Sequence, residues 1–146
     1  MASYLSFSKR RLTDIIFKDL SLVERFLKGL EKLSKRENWN KRLKRVFSQV
    51  KNFNNSIFLA HDAPLNHLDK ILNKSPLHGV NLGDEYYLKY IKQYQPTVYV
   101  CGHFHEHSQK TSKIGKTLLI NPGEAGKGQF AILELKDNKL KLKFYK

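Results

Sequence analysis

The stretch Cys101-Gly102-His103-Phe104-His105-Glu106-His107 decides how this chain is read. It follows Thr97-Val98-Tyr99-Val100-Cys101, an apolar, β-branched run of strand length. Gly102 ends that strand, and two histidines follow with one residue between them. A His-x-His pair just beyond a strand can aim two imidazoles at one cation or at two neighbouring ones. Imidazole suits zinc, iron, nickel and manganese-type sites. The pattern also occurs earlier in simpler form. Ser56-Ile57-Phe58-Leu59-Ala60 is a second strand candidate, with His61 at its end and Asp62-Ala63-Pro64 after it. In an open α/β sheet, ligands gather at the carboxyl ends of the strands. Two strands that each deliver histidine there are more informative than either alone.

The 146 residues suffice for one domain with a core, and 40% are hydrophobic. No apolar run approaches the ~20 residues that span a bilayer. The N-terminal charges, Lys9-Arg10-Arg11, come after the apolar residues, the wrong order for a secretory signal. Cys101 is the only cysteine, which excludes an internal disulfide, and a cytoplasmic location is expected. The net charge is +14. Residues 1–55 carry 14 Lys/Arg against 5 Asp/Glu, and residues 56–146 carry 13 against 8. Such an excess steers polyanions, nucleic acid among them. No aromatic-basic recognition module is evident beside it, so solvated helix faces are the plainer reading.

Taken in order, residues 1–20 have little pattern. Ser21-Leu22-Val23-Glu24 reads as a capping box, and Leu22, Val23, Phe26, Leu27, Leu30 and Leu33 predict an amphipathic helix over 22–36. Asn38-Trp39-Asn40 reads as a break. Leu43, Val46, Phe47 and Val50 mark a second, basic helix. A loop follows His61, with a short helical piece expected at Leu68–Leu72. Asp84 is the N-cap of a further helix whose Tyr87, Leu88, Ile91 and Tyr94 share a face. Pro96 ends it. The segment 102–112 reads as the histidine loop. Thr117–Ile120, Gln129–Leu135 and Leu140–Tyr145 predict three strands in an antiparallel meander, with a turn at Asp137-Asn138. The fold class is α/β with a mixed sheet. The expected division is a basic helical segment, 1–55, before a unit at 56–146.

His61-Asp62-Ala63-Pro64, Gly102-His103-Phe104-His105-Glu106 and Ile114-Gly115-Lys116-Thr117-Leu118-Leu119-Ile120-Asn121-Pro122-Gly123 resemble the C-terminal half of the calcineurin-like metallophosphoesterases. The likeness is to small microbial members with Gly-His-x-His-Glu and a later Asn-Pro-Gly, and it covers about residues 56–135. The resemblance implies part of an αββα sandwich and hydrolysis of phosphoesters by two divalent ions of manganese, iron, zinc or nickel type, about 3.5–4 Å apart. It implies that His61 and His103 serve the second ion and His105 the first. It gives Gly102 the role of letting the backbone turn sharply near the site.

The family's Asp-x-His and Gly-Asn-His do not occur in this sequence, and Gly83-Asp84-Glu85-Tyr86-Tyr87 has Tyr87 where Gly-Asp-x-x-Asp needs aspartate. No catalytic residue is therefore assigned in this chain. The resemblance implies a split-gene product, a truncated frame or a decayed copy. The expected partners are a phosphoester substrate and a separate N-terminal-half chain or a second copy. The alternative is a non-catalytic module that binds protein or nucleic acid through its basic helices. No membrane partner is expected.

The remaining residues divide between site support and structure. Asp62 orients a histidine or is a solvated loop acid, and Glu106 does the same or pairs with lysine. Asn121 and Gly123 form a structural turn, after which Glu124 replaces a smaller residue. Cys101 reads as a buried strand residue, not a nucleophile. His67 and His107 read as surface residues, and His78 has no assignment.

Overall fold

The computed structural model describes residues 20–136 and 139–146, with side chains from residue 27 onward. The capping side chains expected at Ser21 and Glu24 and the turn at Asp137-Asn138 lie outside them. The described residues divide into two compact units, with the boundary between Arg42 and Leu43.

Helix α1 runs without interruption from Leu20 to Ser48. Both predicted helical stretches are present, but the break expected at Asn38-Trp39-Asn40 is not. Asn and Trp are only mildly unfavourable inside a helix, and neither Gly nor Pro stands there. Two i,i+4 pairs, Glu31–Lys35 at 2.7 Å and Glu37–Lys41 at 2.8 Å, lie on either side of residue 36. In the first unit the helix leaves Leu27, Leu30 and Leu33 exposed.

The second unit is built around a four-stranded sheet. Its strands are β1 (Ile57–Leu59), β2 (Val98–Val100), β3 (Lys110–Ile114) and β4 (Thr117–Asn121), in the order β1-β2-β4-β3. β1 and β4 both run parallel to β2, and β3 is antiparallel to β4. The sheet is mixed, as the sequence predicts. Helix α2 (Glu85–Tyr94) connects β1 to β2. Its start is the expected one: the Asp84 carboxylate accepts from Tyr86 N at 2.7 Å and Tyr87 N at 3.0 Å.

The register aligns Phe58, Tyr99 and Leu119 on one face of the sheet. Phe47, from the last turns of α1, stacks on Phe58 with ring centres 4.4 Å apart, and also on Tyr90 and Tyr94 of α2. Phe47, Tyr99, Ile91 and Leu119 are wholly buried there. The opposite face is buried at Val98 and Ile120 but open at the β1 edge, where Ile57 is 54% and Leu59 77% exposed.

The histidine loop is shorter than predicted, because β3 already begins at Lys110. Lys110-Thr111-Ser112-Lys113-Ile114 holds one apolar residue, so nothing in its own pattern announces a strand; its partner β4 makes it one. The meander is also corrected. β5 (Phe130–Lys136) and β6 (Lys139–Tyr145) form a separate antiparallel ribbon and do not continue from β4. The helical piece expected at Leu68–Leu72 is absent. Leu68 has φ of 59°, which a right-handed helix excludes, and Lys70 makes an isolated bridge to Asn81. No helix among the described residues is long and apolar enough to cross a membrane.

Candidate metal centre

β1 and β2 end side by side, with Leu59 opposite Val100. The pairing continues beyond both strands. Ala60 N donates to Val100 O at 3.0 Å, and Gly102 N donates to His61 O at 2.9 Å. The two histidine-bearing segments are thus bound to each other through the backbone before any side chain is considered.

This pairing brings His61 Nε2 to 3.0 Å from His103 Nδ1, with the two rings nearly edge to face. His103 has φ of 60°, a left-handed conformation uncommon for a residue with a Cβ. The freedom expected of Gly102 is used one residue later. Gly102 does not have positive φ, and a Cβ built there would sit 3.8 Å from His61 O, an ordinary contact. Backbone held in a sparsely populated region recurs at functional sites.

Asp62 completes the group. Its Oδ1 lies 3.9 Å from His103 Nδ1, and one donor atom from each of His61, Asp62 and His103 falls within 4.8 Å of the others. The backbone carbonyl of Asp62 accepts the Tyr99 hydroxyl at 3.0 Å. Burial drives the Tyr99 phenol far above its usual range, so it stays protonated and able to donate. Two donors bound to one tetrahedral ion at about 2.1 Å lie roughly 3.4 Å apart. The spacings here bracket that value, and two imidazoles with a carboxylate suit zinc, iron and manganese. The group offers three protein ligands to one cation.

His105 takes a different direction. Phe104 is buried, and its carbonyl accepts from Asn121 Nδ2 at 3.0 Å. The middle residue of His-x-His is therefore the anchor, and the histidines flank it at the surface. His105 Nδ1 lies 3.3 Å from Glu124 Oε2, and Glu124 Oε1 accepts from Lys127 Nζ at 2.7 Å. The hydrogen bond from the Lys127 ammonium holds the Glu124 carboxyl below its ordinary range; burial opposes it, and the nearby His105 adds a smaller lowering. An open depression is lined by Asn73, His103, His105, Glu106, Glu124 and Lys127.

The other named residues have structural partners. Glu106 accepts from Asn73 Nδ2 at 3.0 Å, and His107 Nε2 meets Lys70 O at 2.9 Å. His67 Nδ1 lies 3.0 Å from Ser112 Oγ, and His78 Nδ1 3.0 Å from Asn73 O. Asn121 Oδ1 accepts from Gly123 N at 3.1 Å, which ties the Asn-Pro-Gly turn to the histidine loop. Gly123 has φ of 104°, and a Cβ there would come within 2.7 Å of Gln129 Cβ. Cys101 is buried, which pushes its thiol up to about 12, the opposite of an activated nucleophile.

The sequence reading assigns His61 and His103 to one ion, and the two side chains lie side by side. It leaves Asp62 undecided, and it misses Glu124 as the neighbour of His105. The only sequence signal for Glu124 is its place directly after Asn-Pro-Gly.

A family profile for metallophosphoesterases of the calcineurin superfamily matches residues 35–144. No curated protein matches the sequence. One solved crystal structure is 23% identical, with a TM-score of 0.52 over 72% of this chain and 38% of its own. A second, a protein of Thermus thermophilus called TT1561, is 22% identical, with a TM-score of 0.44 over 70% of this chain and 39% of its own. The chain thus spans well under half the length of the solved proteins that it matches. The fold likeness of the first and the profile over most of the chain agree with the histidine loops: this chain belongs to the calcineurin superfamily of metallophosphoesterases.

Proposed function

We propose that this chain forms one side of a two-cation phosphoester hydrolase centre, with the remaining ligands supplied by further polypeptide. The observation that carries this reading is the His61–Asp62–His103 donor group at adjoining strand ends. His61 and His103 hold one ion, with Asp62 beside them. His105, steadied by Glu124, serves the other. Two such ions supply Lewis acidity toward phosphoester oxygens and a nucleophilic water at neutral pH. The protein's own residues orient and attract. Tyr99 fixes the backbone at Asp62, Asn121 fixes Phe104 between the histidines, and Lys127 places a positive charge on the rim.

The reading requires a carboxylate-bearing partner segment of the Asp-x-His and Gly-Asn-His kind, from another chain or another part of a longer one. Activity toward bis(p-nitrophenyl) phosphate with manganese tests it. The expected result is negligible turnover by these 146 residues alone, and turnover once a polypeptide bearing the missing motifs is added. His103→Ala abolishes the restored activity. Full manganese-dependent turnover by the chain alone overturns the need for a partner.

A further inference from the structure

The β5–β6 ribbon carries a surface that phosphoester hydrolysis does not use. Both strands alternate exposed and half-buried residues. The half-buried set on one face, Ala131, Leu133, Leu135, Leu140, Leu142 and Phe144, is apolar, as expected of a ribbon with one covered face; on the other face Tyr145 is half-buried as well, and the rest are exposed. The exposed set is not merely polar. The register pairs Phe130 with Tyr145, Ile132 with Lys143, Glu134 with Lys141 and Lys136 with Lys139. One face therefore has an aromatic pair at one end and four lysines against one glutamate along the rest.

The aromatic pair is well formed. The Phe130 and Tyr145 rings stack with centres 5.0 Å apart and planes 6° from parallel. Lys143 Nζ lies 4.9 Å from the centre of the Tyr145 ring. Phe130 is nonetheless 51% exposed and Ile132 46%. Lysines on a ribbon edge are common protection against strand-to-strand association. That protection does not call for an exposed phenyl ring, which it would normally avoid. Lysines at every second position, about 7 Å apart along a strand, with an open aromatic step at one end are what a single-stranded polynucleotide needs. Lysines track the phosphates, and a base stacks on the ring. A folded acidic protein would match the charge but would have no use for a flat exposed π face.

We infer that the exposed face of this ribbon binds single-stranded nucleic acid, with its phosphates along Lys136, Lys139, Lys141 and Lys143 and a base on the Phe130–Tyr145 stack. The two aromatics are 15 residues apart in the chain, so the sequence shows no module; strand pairing assembles it.

Fluorescence anisotropy with a labelled oligothymidylate of about 16 nucleotides, across a salt series, tests the inference. The chain binds, and the triple change Lys139→Glu, Lys141→Glu, Lys143→Glu weakens binding at least about tenfold and lowers the salt slope by about 2. Phe130→Ala weakens it at least about fivefold, and Phe130→Trp, which keeps a stacking surface, restores it. Circular dichroism checks that each variant folds. If the lysine variant does not fold, the Phe130→Ala and Phe130→Trp pair decides alone. The inference is overturned by absence of binding, or by an equal loss on reversing Lys28, Lys32 and Lys44 of α1. It is also overturned if Phe130→Ala leaves affinity unchanged, or if the chain takes up phosphatidylserine vesicles and not the oligonucleotide.

Discussion

Single residues give the clearest separation of site from scaffold. Of the six histidines, His61 and His103 meet at the candidate centre and His105 faces Glu124, while His67, His78 and His107 are held by Ser112, Asn73 and Lys70. His67 is also the one with a resolved pH signature. Burial lowers its pKa, a nearby Asp69 partly opposes that, and Lys92 adds to it. A base with a depressed folded pKa contributes stability that is fully present above its unfolded pKa, about 6.5, and is lost as pH falls through the folded value. Urea unfolding should therefore show stability falling from about pH 6.5 downward. His67→Gln should give a flatter profile in that window; an unchanged profile would exclude His67 as its source.

At the scale of elements, what the sequence shows depends on where the determining partner lies. The α2 cap was legible because Asp84 and the amides it binds are neighbours in the chain. The β1 and β2 strands were legible from their apolar runs, and with them the histidines at their ends. β3 was not, because Lys110–Ile114 becomes a strand only by pairing with β4. The loop after His61 was legible as a loop, but its conformation was not, because distant residues set it. The wholly buried Asp69 carboxylate accepts from Asn66 N at 2.9 Å and from Gly83 N at 2.8 Å. Asp84 N meets Ala63 O at 2.9 Å. Gly83 lies so close to this loop that a Cβ would approach Pro64 C and O at 2.7 Å and Ala63 O at 2.8 Å, all backbone atoms that cannot swing aside. Gly83→Ala should cost about 1–3 kcal/mol by overpacking, seen as a lower urea midpoint with an unchanged m-value. It should also weaken cation binding, because the same loop carries Asp62. A neutral effect on both would mean that the loop shifts freely and does not fix the site.

At the scale of the whole molecule, the family fold carries an incomplete candidate metal site. The family profile over residues 35–144 places the chain in the calcineurin superfamily, and the sequence already contains signals of it in Gly102–Glu106 and Asn121–Gly123. The resemblance already sets His61 and His103 apart from His105; what it leaves open is the acidic neighbour of each. His61 and His103 join Asp62, whereas His105 faces Glu124. The account rests on that first group holding a cation by itself. The most direct measurement is a calorimetric titration of the metal-free chain with manganese or zinc. The account predicts uptake of about one ion per chain, since three protein ligands with an open position are a competent site. Binding is lost in His61→Ala and in His103→Ala and weakened in Asp62→Ala. No uptake, or uptake that survives both histidine changes, would contradict it.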